Sequence, residues 1–106
     1  MEKKLTLKNP EIQKSLVMST SHITPEDWHF LTRHAKDASL EPWLITDRLS
    51  CGWRIYIERH PEMAPKNIPT ISKEFNELIK AARSLGCDWL VIDADAMEYE
   101  EFPVFE

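Results

Sequence analysis

One run, Thr70 to Asp95, constrains this chain more than any other: an amphipathic helix, a glycine stop and an apolar strand follow one another without a break. Ile71, Phe75, Leu78, Ile79, Ala82 and Leu85 recur with the period of one helix face, while Lys73, Glu74, Glu77, Lys80 and Arg83 fall on the other. Thr70 or Ser72 can offer a hydroxyl to the unpaired N–H groups of the first turn, and Gly86 supplies the left-handed residue that closes the last one. Trp89-Leu90-Val91-Ile92 is too short for another helix and rich in β-formers, so it reads as a strand buried on both faces or nearly so. The helix is expected to pack on a sheet that contains it.

The rest of the chain supplies partners for that sheet. Residues 1–13 read as a flexible arm interrupted by Pro10, and Leu16-Val17-Met18 as a first strand. A helix should start at Pro25: Thr24 stands as N-cap, Pro25 loses no hydrogen bond at the first helical position, and Glu26 and Asp27 complement the positive helix end. Its stripe of Trp28, Leu31, Ala35 and Ala38 carries it to about Ala38. Trp43–Arg48 and Gly52–Glu58 are two β-rich runs joined by a short turn, the second alternating Trp53, Ile55 and Ile57 against Arg54, Tyr56 and Glu58. Pro61, Pro65 and Pro69 then exclude regular structure from the link to the second helix.

The order β-α-β-β-α-β, with two right-handed crossovers around a hairpin, leads to a fold-class expectation: an α+β, ferredoxin-like sandwich. Its four-stranded antiparallel sheet would run in the order 4-1-3-2, with both helices on one face. The expected organisation is an arm (1–13), one domain (14–95) and an acidic aromatic C-terminal segment (96–106). With 106 residues, 42% of them hydrophobic, the chain is long enough for one core without metal or disulfide staples. The first eight residues hold charge but no apolar run, so a cytoplasmic protein is expected, with Cys51 and Cys87 reduced.

Charge is distributed unevenly. Residues 1–14 carry four lysines against two glutamates, whereas Asp93, Asp95, Glu98, Glu100, Glu101 and Glu106 make the last fourteen residues acidic with no base among them. With a net charge of −5, direct nucleic-acid binding and membrane binding are disfavoured and a basic protein partner is favoured. Tyr99, Phe102 and Phe105 lie among those acids, and together with Glu100 and Glu101 they form the expected partner-binding set: apolar anchors with acidic steering. Docking of these rings onto the protein's own sheet is the competing explanation, as is core packing for Trp28, Trp43, Trp53 and Trp89.

Chemistry is harder to place. With only Gly52 and Gly86 in the chain no glycine-rich phosphate cradle exists, and no cofactor is expected. In the expected topology His22, Cys51 and Cys87 share one sheet edge, but strands 3 and 4 flank strand 1 there, so two strand spacings would hold the thiols about 9–10 Å apart. A fourth ligand is also missing, so no metal is expected there. Asp93 and Asp95, two apart on a strand, point to one side, as paired carboxylates that bind magnesium do. With His60 as base they form the alternative, a metal-dependent phosphoesterase or nuclease. Acids that cap turns at a strand end give the same pattern without chemistry. A third possibility is self-association through the open face of the sheet into a homo-oligomer.

Ser19-Thr20-Ser21-His22-Ile23-Thr24 and Cys87-Asp88-Trp89-Leu90-Val91-Ile92-Asp93-Ala94-Asp95, with the Phe102-Pro103 ending, resemble a family of small uncharacterised bacterial proteins often carried on phages, plasmids and genomic islands. The chain departs from that pattern at Ala96, where a glycine is expected, and at Phe102, where leucine is more usual. The resemblance implies an accessory protein of a mobile element that binds or inhibits another protein, and it assigns no catalytic residue. The reading that follows is of a small protein-binding or inhibitory module, more a binder than an enzyme.

Overall fold

The computed structural model describes residues 7–34, 36–37, 44–58 and 67–105. Along the chain come β1 (Ser15–Ser19), a 3-10 turn (Thr20–His22), α1 (Pro25–His34), β2 (Thr46–Leu49), β3 (Gly52–Tyr56), α2 (Lys73–Ser84) and β4 (Trp89–Asp93). The expected order of elements is therefore present, and the domain is α+β with two helices and one four-stranded sheet among the described residues. Ala35, Ala38, Trp43 and His60 lie outside them.

Sheet order departs from the expectation. The strands run β1-β4-β3-β2, with β1 and β4 parallel and the other two pairs antiparallel. The sheet is thus mixed, and β4 lies inside it where the order 4-1-3-2 puts β1. The cause lies at the start of the helices. Asp27, in the first turn of α1, accepts the Ser72 amide at 2.9 Å and also takes the Ser72 hydroxyl, and the Ser72 hydroxyl in turn caps α2 by accepting the Phe75 amide. Both helices therefore begin at the same end of the molecule. α2 descends beside α1, Gly86 turns the chain at φ 73°, and β4 climbs back parallel to β1. Of the two candidate caps for α2, Ser72 is the one used.

One face of the sheet is buried and the other is open. Met18, Trp53, Ile55, Leu90 and Ile92 join Phe30 and Leu31 of α1 and Phe75, Leu78, Ile79 and Ala82 of α2 in a single core. Burial alternates along β3 and β4, so β4 is flanked on both edges but covered on only one face, not on both as its apolar run suggests. On the open side Arg54 lies 4.0 Å over the Trp89 ring, pairs with Asp47 at 2.7 Å, and Tyr56 meets Trp89 edge-on. The Trp89 indole N–H donates to Gln13 at 2.8 Å. These contacts half-cover the open face, on which Val17 remains 40% exposed.

The C-terminal segment is folded onto the domain. The Ser19 amide donates to the Met97 carbonyl at 3.0 Å, and the Tyr99 hydroxyl to the Val17 carbonyl at 2.9 Å. Alternate residues of a strand bond to opposite sides, so these groups lie on the edge of β1 away from β4. Residues 97–99 therefore cover an edge on which no strand lies among the described residues.

Candidate functional site

The reversal of β4 changes which residues share an end of the sheet. Gly52 is in register with Asp93, so the β2–β3 turn with Cys51 stands beside the end of β4, and β1 finishes at the same end because Ser19 pairs with Asp93. Cys87 precedes the other end of β4, and the expected grouping of His22, Cys51 and Cys87 is thereby corrected: Cys87 is buried far from the pair. Both thiols are free. The end of β4 that holds Asp93 and Asp95 carries Cys51 beside them.

Cys51, Asp93 and Asp95 form a compact acidic group whose ligand atoms all lie within 4.8 Å of one another. Asp93 also accepts the Asp95 amide at 2.8 Å, and the Ala94 amide donates to the Cys51 carbonyl at 2.8 Å, so the turn itself places the carboxylates. A thiolate with two carboxylates could hold a divalent cation. His60, the expected base, lies outside the described residues.

His22 is not a metal ligand in this arrangement, because both its ring nitrogens are taken. Its Nε2 accepts the Tyr99 amide at 2.9 Å, and its Nδ1 lies 2.8 Å from the Pro103 carbonyl. The ring is 1% exposed, with Phe102 edge-on at 5.8 Å. The Phe105 amide donates to the Ser21 carbonyl at 2.7 Å, and the Ser21 hydroxyl to Glu98 at 2.6 Å. The segment from Glu98 to Phe105 thus wraps the hook between β1 and α1. Of the expected partner-binding residues, Glu100 and Glu101 are exposed, while Tyr99, Phe102 and Phe105 are half-buried and Tyr99 and Phe102 pack against the core.

Wrapping leaves a cleft. Thr20, Ile23, Pro25, Trp28 and His29 line it with Phe105, and its volume is about 420 Å³. A second hollow of about 340 Å³ lies on the other side of Trp28, lined by Arg48, Cys51, Gly52, Trp53 and Ala94. Trp28 is the ridge between them. It remains 42% exposed while resting edge-on against buried Trp53, their ring centres 4.6 Å apart. Helical spacing alone puts Trp28 on the core stripe; the structure keeps Leu31 there and turns Trp28 to the rim. Carboxylates gather at this end, with Glu26 in the first turn of α1, Asp93 and Asp95 beside Cys51 and Glu98 on the Ser21 hydroxyl, while Arg48 lines the second hollow.

The sequence profile described as "Family of unknown function (DUF5983) C-terminal domain" matches residues 15–106, the span from β1 through the wrapped segment. Neither a protein of curated function nor a solved structure matches the chain.

Proposed function

The chain belongs to this DUF5983 family of unknown function, and from that premise we propose that it is a protein-binding module. It takes a basic segment of another protein, with an apolar anchor, into the cleft between Trp28 and Phe105. The observation that carries this reading is the exposure of Trp28 between two hollows on an end crowded with carboxylates. A large aromatic left on the rim contributes contact area that its own fold does not use, and tryptophan is enriched among the residues that dominate binding energy. The surrounding acids favour lysine and arginine on the partner and speed its encounter. An accessory role on a mobile element, as the resemblance above implies, suits a small binder or inhibitor of this kind, acting inside the cell.

The test is a set of labelled peptides with leucine or phenylalanine flanked by lysine and arginine, titrated against the full chain with acid-flanked peptides as controls. Saturable binding that shifts the amide signals of Thr20, Ile23 and His29, weakens with salt, and falls roughly thirtyfold in Trp28→Ala supports the reading. Equal binding of acidic and basic peptides, or no effect of Trp28→Ala, removes it.

The clustering of Cys51, Asp93 and Asp95 within 4.8 Å favours a second reading, metal-assisted hydrolysis of a phosphodiester. Asp93→Asn with Asp95→Asn should then abolish a turnover that depends on added magnesium or manganese. No turnover by the unaltered chain with either ion would exclude it.

A further inference from the structure

We propose that His22 is a proton-controlled latch: its neutral imidazole holds the C-terminal segment on the domain, and protonation releases that segment and with it the Phe105 wall of the cleft. The first half stands on the geometry alone, and the second, regulation of binding, rests on the reading given above.

The hydrogen-bond roles decide it. A backbone N–H can only donate, so the Tyr99 amide, 2.9 Å from Nε2, requires an unprotonated nitrogen there. A carbonyl can only accept, so Nδ1 carries the ring's one proton and donates to Pro103 at 2.8 Å. The tautomer is thereby set by two backbone groups, 77 and 81 residues further along the chain. A proton added at Nε2 opposes the Tyr99 N–H donor to donor, inside a corner where the ring is 1% exposed. The imidazolium then has an unpaired N–H and a charge with little access to water, and the arrangement that created both is lost by letting the segment go.

The carboxylates on the neighbouring elements already accept other hydrogen bonds. The segment presents the Tyr99 and Phe102 rings to it. Glu98 is engaged by the Ser21 hydroxyl at 2.6 Å. Asp93, at the end of β4, accepts from the Asp95 amide, and Asp27 of α1 is shared between Thr24 and Ser72. As pH falls and His22 takes up a proton, the segment's remaining ties to the domain must hold it without the ring.

The latch can be read without any partner. In the full chain, amide hydrogen exchange of Tyr99 and Phe105 is followed against pH, corrected for its intrinsic pH dependence, while the His22 ring signals report protonation. The expected result is that both amides lose protection about tenfold or more in step with His22, whereas Leu90 and Ile92 keep theirs. In His22→Gln, whose side chain both donates and accepts but does not titrate, the pH response should vanish. Protection that survives ring protonation overturns the proposal. So does protection lost together with that of Leu90 and Ile92, or an unchanged pH response in His22→Gln. If the latch operates but no basic peptide binds, the binding reading fails and the latch stands.

Discussion

Asp27 and Ser72, 45 residues apart, join the first turns of the two helices: the Asp27 carboxylate accepts both the amide and the hydroxyl of Ser72. The same carboxylate receives the Thr24 hydroxyl at 2.9 Å, and the Asp27 amide donates back to Thr24 at 3.1 Å. One buried side chain, 2% exposed, therefore serves two positive helix ends, where a carboxylate is favoured by the backbone dipoles. Asp27→Ala leaves those donors without an acceptor. It should cost about 3 kcal/mol, seen as a fall in melting temperature of roughly 10–20 °C. A loss no larger than that of an exposed substitution such as Glu26→Ala would show that the tie between the helices carries little of the stability.

Gly52 is required by closeness. A Cβ built there would stand 1.8 Å from the Ile92 carbonyl oxygen, and since that oxygen belongs to the backbone of the central strand it cannot turn aside. Gly52→Ala should therefore separate β3 from β4 and lower stability by more than about 2 kcal/mol. Chemical denaturation compared with Gly86→Ala separates two causes, because Gly86 has open space around it and only its φ of 73° resists a side chain. Gly86→Ala should cost about 1 kcal/mol.

The two thiols should differ sharply in reactivity. Cys51 is exposed on the β2–β3 turn and Cys87 is 2% exposed at the far end of β4. A thiol reagent added to the folded chain should label Cys51 alone, and Cys87 only after denaturant is added. Rapid labelling of both in the native state would contradict the burial of Cys87.

Asn76 makes a further test of how the second helix is set. Its side chain accepts the Ile68 amide at 2.8 Å and donates to the Ile68 and Ser72 carbonyls, each at 3.0 Å. Asn76→Leu, close in size but without polar atoms, should cost about 2 kcal/mol and should speed exchange at the Ile68 amide ahead of the rest of the core.

Local features of this fold are legible in the sequence, and the long-range ones are not. Thr24-Pro25-Glu26-Asp27 marks the start of α1 because every signal there acts within one turn. The alternation of Trp53, Ile55 and Ile57 places β3's buried face because side chains alternate on any strand. The direction of β4 is different in kind. It follows from the Asp27–Ser72 tie, and a buried carboxylate that caps its own helix looks the same in sequence whether or not it reaches a second one. The candidate site inherits that limit. With β4 reversed, Asp93 and Asp95 meet Cys51, and Cys87 leaves. His22 stands out in the sequence beside its hydroxyl neighbours, but its two bonding partners lie in the last eight residues, so its role as a clamp has no local sign. Trp28 falls on a helical stripe that sequence assigns to the core; which side of that stripe meets solvent is settled by how closely Trp53 approaches it.

The cover that residues 97–99 place over β1 has a consequence for cut or truncated chains. A strand with one free side is a template: its spare N–H and carbonyl groups are ready to pair with the same strand of another molecule and so to begin a chain of edge-to-edge additions. Here the Met97 carbonyl and the Tyr99 hydroxyl fill those positions on Ser19 and Val17. A chain ending at Asp95 keeps all four strands and both helices but bares that rim, so it should precipitate while still folded.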